Sequence, residues 1–408
     1  MVRDGWIDCP ITDVLIPNGI KIGPFGSQLK KETLMPYGQY KVYGQENIYA
    51  KDFSLGERYL QKEHFDRLSS CEIIPGDFVM STMGTIGKCA IVPEGIQKGI
   101  MDSHLVRLRF DKKKINQAYL LQLFSDEFGF LKKQTARLSV GGIMDGLSAG
   151  IVGSLRISFP ESQEEQQAIV SVLTEMDGLI QNLKKEIEKK KNIKYGAMNL
   201  YLTGTERLDG FSSEWENIAL GEIADVKDGT HQTPKYVDSG FPFYSVETVT
   251  TGDFRHVKKI SEEEHHRLTA SYKIETGDVL MTRIGSLGKC KFIDWDVNAS
   301  FYVSLALLKF HGNTDLARFV TFVSELRSFA KEVELHALQF AIPMKINLGE
   351  IEKIRVTIPS DPNEMVALNR IFIEMEKNIA SLEDELEKLM QVKQGMMSNL
   401  LTGKIRLI

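Results

Sequence analysis

The chain has 408 residues, 42% hydrophobic and 26% charged, enough for two or three domains with substantial cores. Its 50 Lys and Arg against 55 Asp and Glu give a net charge of -5, which excludes a uniformly basic nucleic-acid binder but not a local basic face. Four cysteines (Cys9, Cys71, Cys89 and Cys290) form no CxxC pair, which argues against zinc ribbons, redox CxxC motifs and a disulfide scaffold. No apolar run reaches the ~18 residues that cross a bilayer, and Met1 to Trp6 carry no apolar h-region. The expected setting is soluble, reducing and cytoplasmic, without a membrane.

In chain order, residues 1–160 are rich in short β-type runs and turn residues. Within them Asp77 to Met80, ending in Gly84-Thr85-Ile86-Gly87, reads as strand, tight loop, strand. Residues 161–206 then read as a long helix, with Glu164 and Glu165 in a first turn that the helix dipole favours and Thr203-Gly204 as its C-cap. Residues 207–360 return to the β-type pattern, and 361–408 to a second long helix ending at Thr402-Gly403. The order is a duplication. Gly76 to Cys89 reappears as Gly277 to Cys290 at an offset of 201 without a gap, and His64 and Ser103 map on His265 and Ser304. Leu202-Thr203-Gly204 matches Leu401-Thr402-Gly403 at 199, as Ile157 to Pro160 matches Val356 to Pro359. Trp6 pairs with Trp215 at 209, so the first half carries extra residues near 20–35.

Apolar positions in the helices fall at Ile169, Leu173, Met176, Ile180, Leu183 and Ile187, and at Leu368, Phe372, Met375, Ile379, Leu382, Leu386 and Leu389. Alternating steps of four and three define a coiled-coil seam rather than a broad globular face. About 40 helical residues span about 60 Å. A head of this size has a radius of gyration of about 15 Å, too small to carry the chain back that distance, so an antiparallel pair is predicted. The expected α+β architecture is a dumbbell: two related heads separated by a long antiparallel two-helix coiled coil, with pseudo-twofold symmetry and the two chain ends close together. Such a spacer suits a bipartite DNA site with unlike half-sites, at most about 18 base pairs between head centres. Residues 1–160 hold 20 basic and 17 acidic side chains, whereas 207–360 hold 18 and 22. Since phosphate neutralisation supplies most DNA affinity, the chain alone is expected to bind DNA weakly, with a partner supplying much of the phosphate grip.

The alternation of head and helix, and the loop Gly-Asp-x-x-Met-[Ser/Thr] … Gly-[Thr/Ser]-[Ile/Leu]-Gly-Lys in each head, resemble the specificity subunits of type I restriction–modification systems. The openings Gly23-Pro24-Phe25-Gly26-Ser27-Gln28-Leu29-Lys30 and Asp228-Gly229-Thr230-His231-Gln232-Thr233-Pro234 look like starts of that family's target recognition domains. Glu165-Gln166 fits the family's helix opening; Glu364-Met365 departs from it. The resemblance covers nearly the whole chain and implies target recognition domains at 1–160 and 207–360 and spacer helices at 161–206 and 361–408. It also implies a non-catalytic subunit that reads split double-stranded DNA and docks two methyltransferase subunits, which restriction subunits then join. S-adenosylmethionine, ATP and magnesium would belong only to those partner subunits.

Several residues are candidates for DNA contact. Gly84 to Lys88 and Gly285 to Lys289 lack a Walker loop's pattern, since Thr82 takes the first glycine's place and Cys89 and Cys290 follow the lysines. As DNA-facing loops they would offer Thr85, Lys88, Ser286 and Lys289 to the backbone; otherwise they are hairpin turns with solvated lysines. Ser27, Gln28, Lys30 and Lys31, and in the second head His231, Gln232, Thr233 and Lys235, suit base or phosphate contacts or ordinary polar loops. Arg283, just before the second head's glycine loop, reads as a guanine contact or a surface ion pair. Gln45 and Asn47 are base-edge candidates unless a strand buries them. His265-His266 beside Glu262, Glu263 and Glu264 reads as a solvated helix start rather than a metal site, since no distant ligand completes it. Met198, Met396 and Met397 read as core or partner-helix contacts. No Ser/His/Asp set, catalytic carboxylate pair or methyltransferase Asn-Pro-Pro-Tyr motif is present. A coiled-coil scaffold joining two protein-binding heads is the competing reading, and a restriction fragment with hidden nuclease activity a third.

Overall fold

A computed structural model describes residues 4–25, 27–125, 127–131, 133–134, 146–338 and 340–407. Gly26 of the first head's opening motif lies outside these. The chain forms two compact units, residues 1–184 with 384–408 and residues 185–383.

In the first unit the strands run Trp6–Pro10 (β1), Leu15–Ile22 (β2), Tyr40–Tyr43 (β3), Tyr59–Leu60 (β4), Glu72–Ile73 (β5), Phe78–Ser81 (β6), Cys89–Ile91 (β7), Gly99–Met101 (β8), Leu105–Phe110 (β9) and Arg156–Pro160 (β10). They form an antiparallel sheet β2-β9-β6-β7, a mixed sheet β4-β3-β8-β5 and a pair β1-β10. In the second unit Trp215–Ala219 (β11), Asp225–Asp228 (β12), Tyr236–Val237 (β13), Phe241–Tyr244 (β14), Lys259–Ile260 (β15), Val279–Thr282 (β16), Cys290–Phe292 (β17), Ser300–Phe301 (β18), Leu305–Lys309 (β19) and Arg355–Pro359 (β20) repeat the scheme. There the sheets are β12-β19-β16-β17, β13-β15-β14-β18 and β11-β20. Each mixed sheet contains one parallel pair, β3 with β8 or β14 with β18.

The central strands are apolar on both faces because a core lies on each side. Phe78 and Met80 of β6 join one core and Val79 the other; Val279 and Met281 of β16 face one core and Leu280 the other. A strand buried twice reads as a continuous apolar run rather than an alternating one. The Gly-Asp pair before each strand is structural. Asp77 accepts from the Ile74 amide and takes a two-point ion pair from Arg109 at 2.6 and 3.0 Å. Asp278 accepts from the Glu275 amide and from Lys309 at 2.6 Å.

The long helices run Gln163–Tyr201 and Pro362–Leu400, each 39 residues. Within the first unit Lys393 of the second helix meets Asp177 of the first at 2.6 Å. Within the second unit Lys191 pairs with Glu383 and Lys194 with Glu376. Numbers rise on one helix as they fall on the other, so the helices are antiparallel. Both heads rest on this pair: Ile169, Leu173, Met397 and Leu400 enter the first head's core, and Met198, Leu202, Leu368 and Phe372 the second's. The seam is not uniformly apolar. Lys393 and Lys194, 199 residues apart, sit within it, and each also reaches a head carboxylate, Glu127 or Glu325. Burial pushes the Lys393 ammonium down, but its two carboxylates outweigh this and hold it raised.

Each unit closes on a second repeated ion pair. Arg406 forks onto the buried Glu165 at 2.5 and 2.6 Å, and Arg207 onto the buried Glu364 at 2.6 and 2.5 Å. Arg406 also donates to the Asp4 carbonyl at 2.9 Å, so the chain ends lie together. The departure at Met365 leaves this pair intact: Gln166 bonds the Pro160 carbonyl, whereas Met365 joins the apolar core. Each helix ends at a glycine with positive φ, Gly204 at 71° and Gly403 at 64°. A Cβ on Gly403 would come within 2.7 Å of the Trp6 ring, but one on Gly204 only within 3.5 Å of Trp215. Gly204→Ala is therefore expected to cost about 1–2 kcal/mol of backbone strain, and Gly403→Ala measurably more, in urea unfolding of the full chain. Equal losses would show that the Trp6 ring yields freely.

Candidate nucleic-acid interface

Sheet register decides where the candidate residues gather. In the first head Ile22, the last residue of β2, pairs with Val106, and Ser81, the last of β6, pairs with Leu105. The Ser27–Lys31 turn and the Gly84–Lys88 loop therefore leave the same end of one sheet. In the second head Asp228 pairs with Ala306 and Thr282 with Leu305, so the His231–Lys235 segment and the Gly285–Lys289 loop also share an end. Four separate stretches of sequence become two matched surfaces.

The Gly84 and Gly285 loops have one construction. Ser81 takes the Gly87 amide on its carbonyl and the Lys88 amide on its hydroxyl; Thr282 does the same for Gly288 and Lys289. Gly84, Gly87, Gly285 and Gly288 all have positive φ, which glycine alone adopts without strain. Thr85 lies at the first loop's exposed tip, where its amide and carbonyl meet the Tyr49 hydroxyl. Gln45 donates to the Met83 carbonyl from below. Ser286 and Lys289 are exposed and Lys88 is half-buried. Ser27, Gln28, Lys30 and Lys31 are all exposed, in a turn whose Gln28 and Leu29 amides bond the Phe25 carbonyl. His231, Thr233 and Lys235 are exposed as well, and Thr233 is fixed by the Tyr302 hydroxyl at 3.2 Å.

Three expectations are corrected. Arg283 is neither open to a base edge nor a surface ion pair. It is 8% exposed, and its guanidinium donates to the Val303 and Ile346 carbonyls and to Asp228 at 3.1 Å. Asn47 is fully buried and bonds the Gly44 amide and the Asp52 and Leu55 carbonyls, so its amide serves the fold. His265 is not a solvated helix start but is buried, stacked on Phe241 at 4.2 Å. Its Nε2 donates to Asn298 at 2.8 Å and its Nδ1 accepts from Ser300 at 3.0 Å, which leaves no lone pair for a metal. Among the described residues no cluster of His, Cys, Asp or Glu could hold a metal ion.

Sequence reading missed the bridge between Leu338 and Lys345, beside which the Gly285 amide donates a hydrogen bond to the Met344 carbonyl. Phe340 and Ile342 nearby are almost wholly exposed. The signal was present as the apolar run Phe340 to Met344, between Gln339 and Lys345. The ion pair of Arg283 with Asp228 was not legible, because the partners are 55 residues apart.

The model of the family described as "Type I restriction modification DNA specificity domain" matches residues 22–189 and 212–391. The chain belongs to this family. It is 23% identical over 330 residues to the type I restriction enzyme MjaVIII specificity subunit of Methanocaldococcus jannaschii, covering 76% of this chain and 75% of that one. Its fold resembles the crystal structure of a type I restriction–modification S subunit from M. genitalium, with a TM-score of 0.59, 16% identity, and 98% and 96% of the two chains covered. A second chain, from work on complex assembly and conformational transition of the type I system, gives 0.58 at 16% identity, with 98% of both chains covered. The protein is therefore a specificity subunit with two DNA specificity domains, from a family that carries no catalysis of its own. No helix among the described residues is long and apolar enough to cross a membrane.

Burial pushes the His265 imidazole below its ordinary value, with the Asn298 bond opposing. A histidine kept neutral by folding takes up protons on unfolding. Its contribution to stability is present above the unfolded pKa, about 6.5, and is lost as pH falls below it. After correction for the intrinsic rate, which itself slows as pH falls, peptides from residues 241–301 are expected to lose hydrogen-exchange protection between pH 7 and 5.5. Peptides around Val79 and Val106 serve as the internal control, and equal changes in both sets would contradict the assignment.

Proposed function

We propose that each head reads one half of a split double-stranded DNA site, through the sheet end where its variable loops gather, and that the paired helices set the gap. The observation that carries this reading is that matched loops at matched positions differ in sequence. Ser27, Gln28, Lys30 and Lys31 in one head answer to His231, Thr233 and Lys235 in the other, while Thr85 and Lys88 keep close counterparts in Ser286 and Lys289, suited to the DNA backbone that both halves share. Two heads of one architecture with unlike tips suit two unlike half-sites. Arg283 supports the second surface from behind.

The helices would dock two methyltransferase subunits, one on each unit. In the second unit Ile193, Ile371, Met375 and Ile379 line an open groove of about 480 Å³. In the first, Leu179 and Val392 are likewise exposed, at positions 199 residues from Asn378 and Ile193. Two equivalent apolar helix faces fit two copies of one partner. Restriction subunits would join through that complex, and S-adenosylmethionine, ATP and magnesium would act only in the partners.

The deciding experiment is genome-wide mapping of adenine methylation in a methylation-free host that expresses the chain with its cognate methyltransferase, against the methyltransferase alone. A new split motif methylated on both strands is expected only with the chain present. A stable complex without any motif would favour a scaffold that joins two protein-binding heads. In the assembled complex, Lys289→Ala should weaken binding uniformly across DNA sequences and lower the salt slope by about one. Sequence-selective loss would instead place Lys289 on a base.

A further inference from the structure

The second head contains a three-residue chain of contacts that the first head lacks. Asp228 ends β12, and its carboxylate is shared. Oδ1 accepts from Arg283 at 3.1 Å, and Oδ2 meets Nε2 of His231 at 2.7 Å. Arg283 is fixed from three sides, by this carboxylate and by the carbonyls of Val303 and Ile346. The peptide that carries His231 is equally constrained. The Thr230 amide bonds the Phe301 carbonyl, the Val303 amide bonds the Thr230 carbonyl, and the Tyr272 hydroxyl donates to the Asp228 carbonyl. At the end of this scaffold the His231 side chain is 71% exposed.

The chemistry sets the state of the ring. A carboxylate only accepts, so Nε2 carries the proton that lies against Asp228. The Asp228 charge is already balanced by Arg283, so the carboxylate's role toward the ring is to fix its tautomer, as an orienting group does for a metal-bound or catalytic histidine. Nδ1 is then left as an acceptor, and among the described residues nothing bonds it. An ordinary solvated loop histidine has no need of a buried arginine behind the carboxylate that holds it. In the first head Thr82 stands at Arg283's place, buried and with no cation to hold a carboxylate.

From this arrangement, and resting on the reading of the second head as a DNA reader, we infer that His231 accepts a hydrogen bond at Nδ1 from the exocyclic amino group of adenine or cytosine in the major groove. Asp228 and Arg283 are positioning residues that act through it. In the major groove these amino groups are the donors, whereas guanine and thymine present acceptors at the corresponding edge, so an outward acceptor separates the two classes.

The test is motif mapping with the full complex, because the first head's half-site is an internal control. His231→Ala should relax a single position of the second head's half-site by about 5- to 150-fold, the range of one good base contact, and leave the other half-site unchanged. His231→Gln, which keeps an acceptor, should restore part of the discrimination; His231→Phe, which keeps only the ring, should not. Arg283→Thr, the first head's own residue, should relax the same position to a smaller extent. A lone structural role would move the thermal midpoint without picking out one base pair. Discrimination retained at every position in a folded His231→Ala complex overturns the inference, and so does a uniform loss over all variants of the site. If His231→Ala does not fold, His231→Phe against His231→Gln decides by the same criterion. A wild-type complex that yields no split motif would sink the DNA reading itself, and this inference with it.

Discussion

The carboxylate of Glu165 lies almost wholly out of water at the start of the first long helix, and the cation that balances it comes from the far end of the chain. Leaving such a charge unpaired is costly, so Arg406 must be delivered to it. Arg406 follows the second helix, which can bring it there only by running antiparallel to the first. In the other unit Arg207 follows the first helix and reaches Glu364 at the start of the second. Each head is thus seated on a helix pair that its own repeat could not supply, and the fold is closed by exchange between the two halves of the sequence. Lys194 and Lys393 add to this closure. Each is a cation in an otherwise apolar seam that ties both helices and the adjacent head to one register.

The second constraint is the doubly buried central sheet. With a core on each face, the strands can vary little, and variation is confined to what leaves their ends. The Gly-Asp turns at one end are held by Arg109 and Lys309 and serve the fold. At the other end the Gly84 and Gly285 loops match without a gap, whereas the segments that follow β2 and β12 differ, as the proposed reading of two unlike half-sites requires. On the proposed reading, recognition and stability are divided between opposite ends of the same strands.

Much of this was legible beforehand. Internal repetition survives as identity at fixed offset, and the coiled-coil seam survives as a spacing, because both are properties of the linear sequence. The glycine loops were legible for the same reason: positive φ leaves glycine as its trace. His265 and Arg283 were misread, and Asn47 was left open between burial and base contact, because a polar side chain has the same letter whether it faces water or a buried partner. Only the partner's position settles the matter, and these partners lie 3 to 63 residues away.

The sequence by itself determined that the chain is duplicated, that each half joins an α+β head to a long helix, and that the heads differ at their loops. It also determined the antiparallel sense of the helices, since a head is too short to span the length of one. Tertiary structure alone decided which carboxylate each arginine balances, which lysines lie in the seam and which polar residues of a loop face outward. Those outcomes depend on pairing between residues remote in sequence, where the cost of burying an unmatched charge or donor selects one arrangement. Local pattern carries no record of that cost.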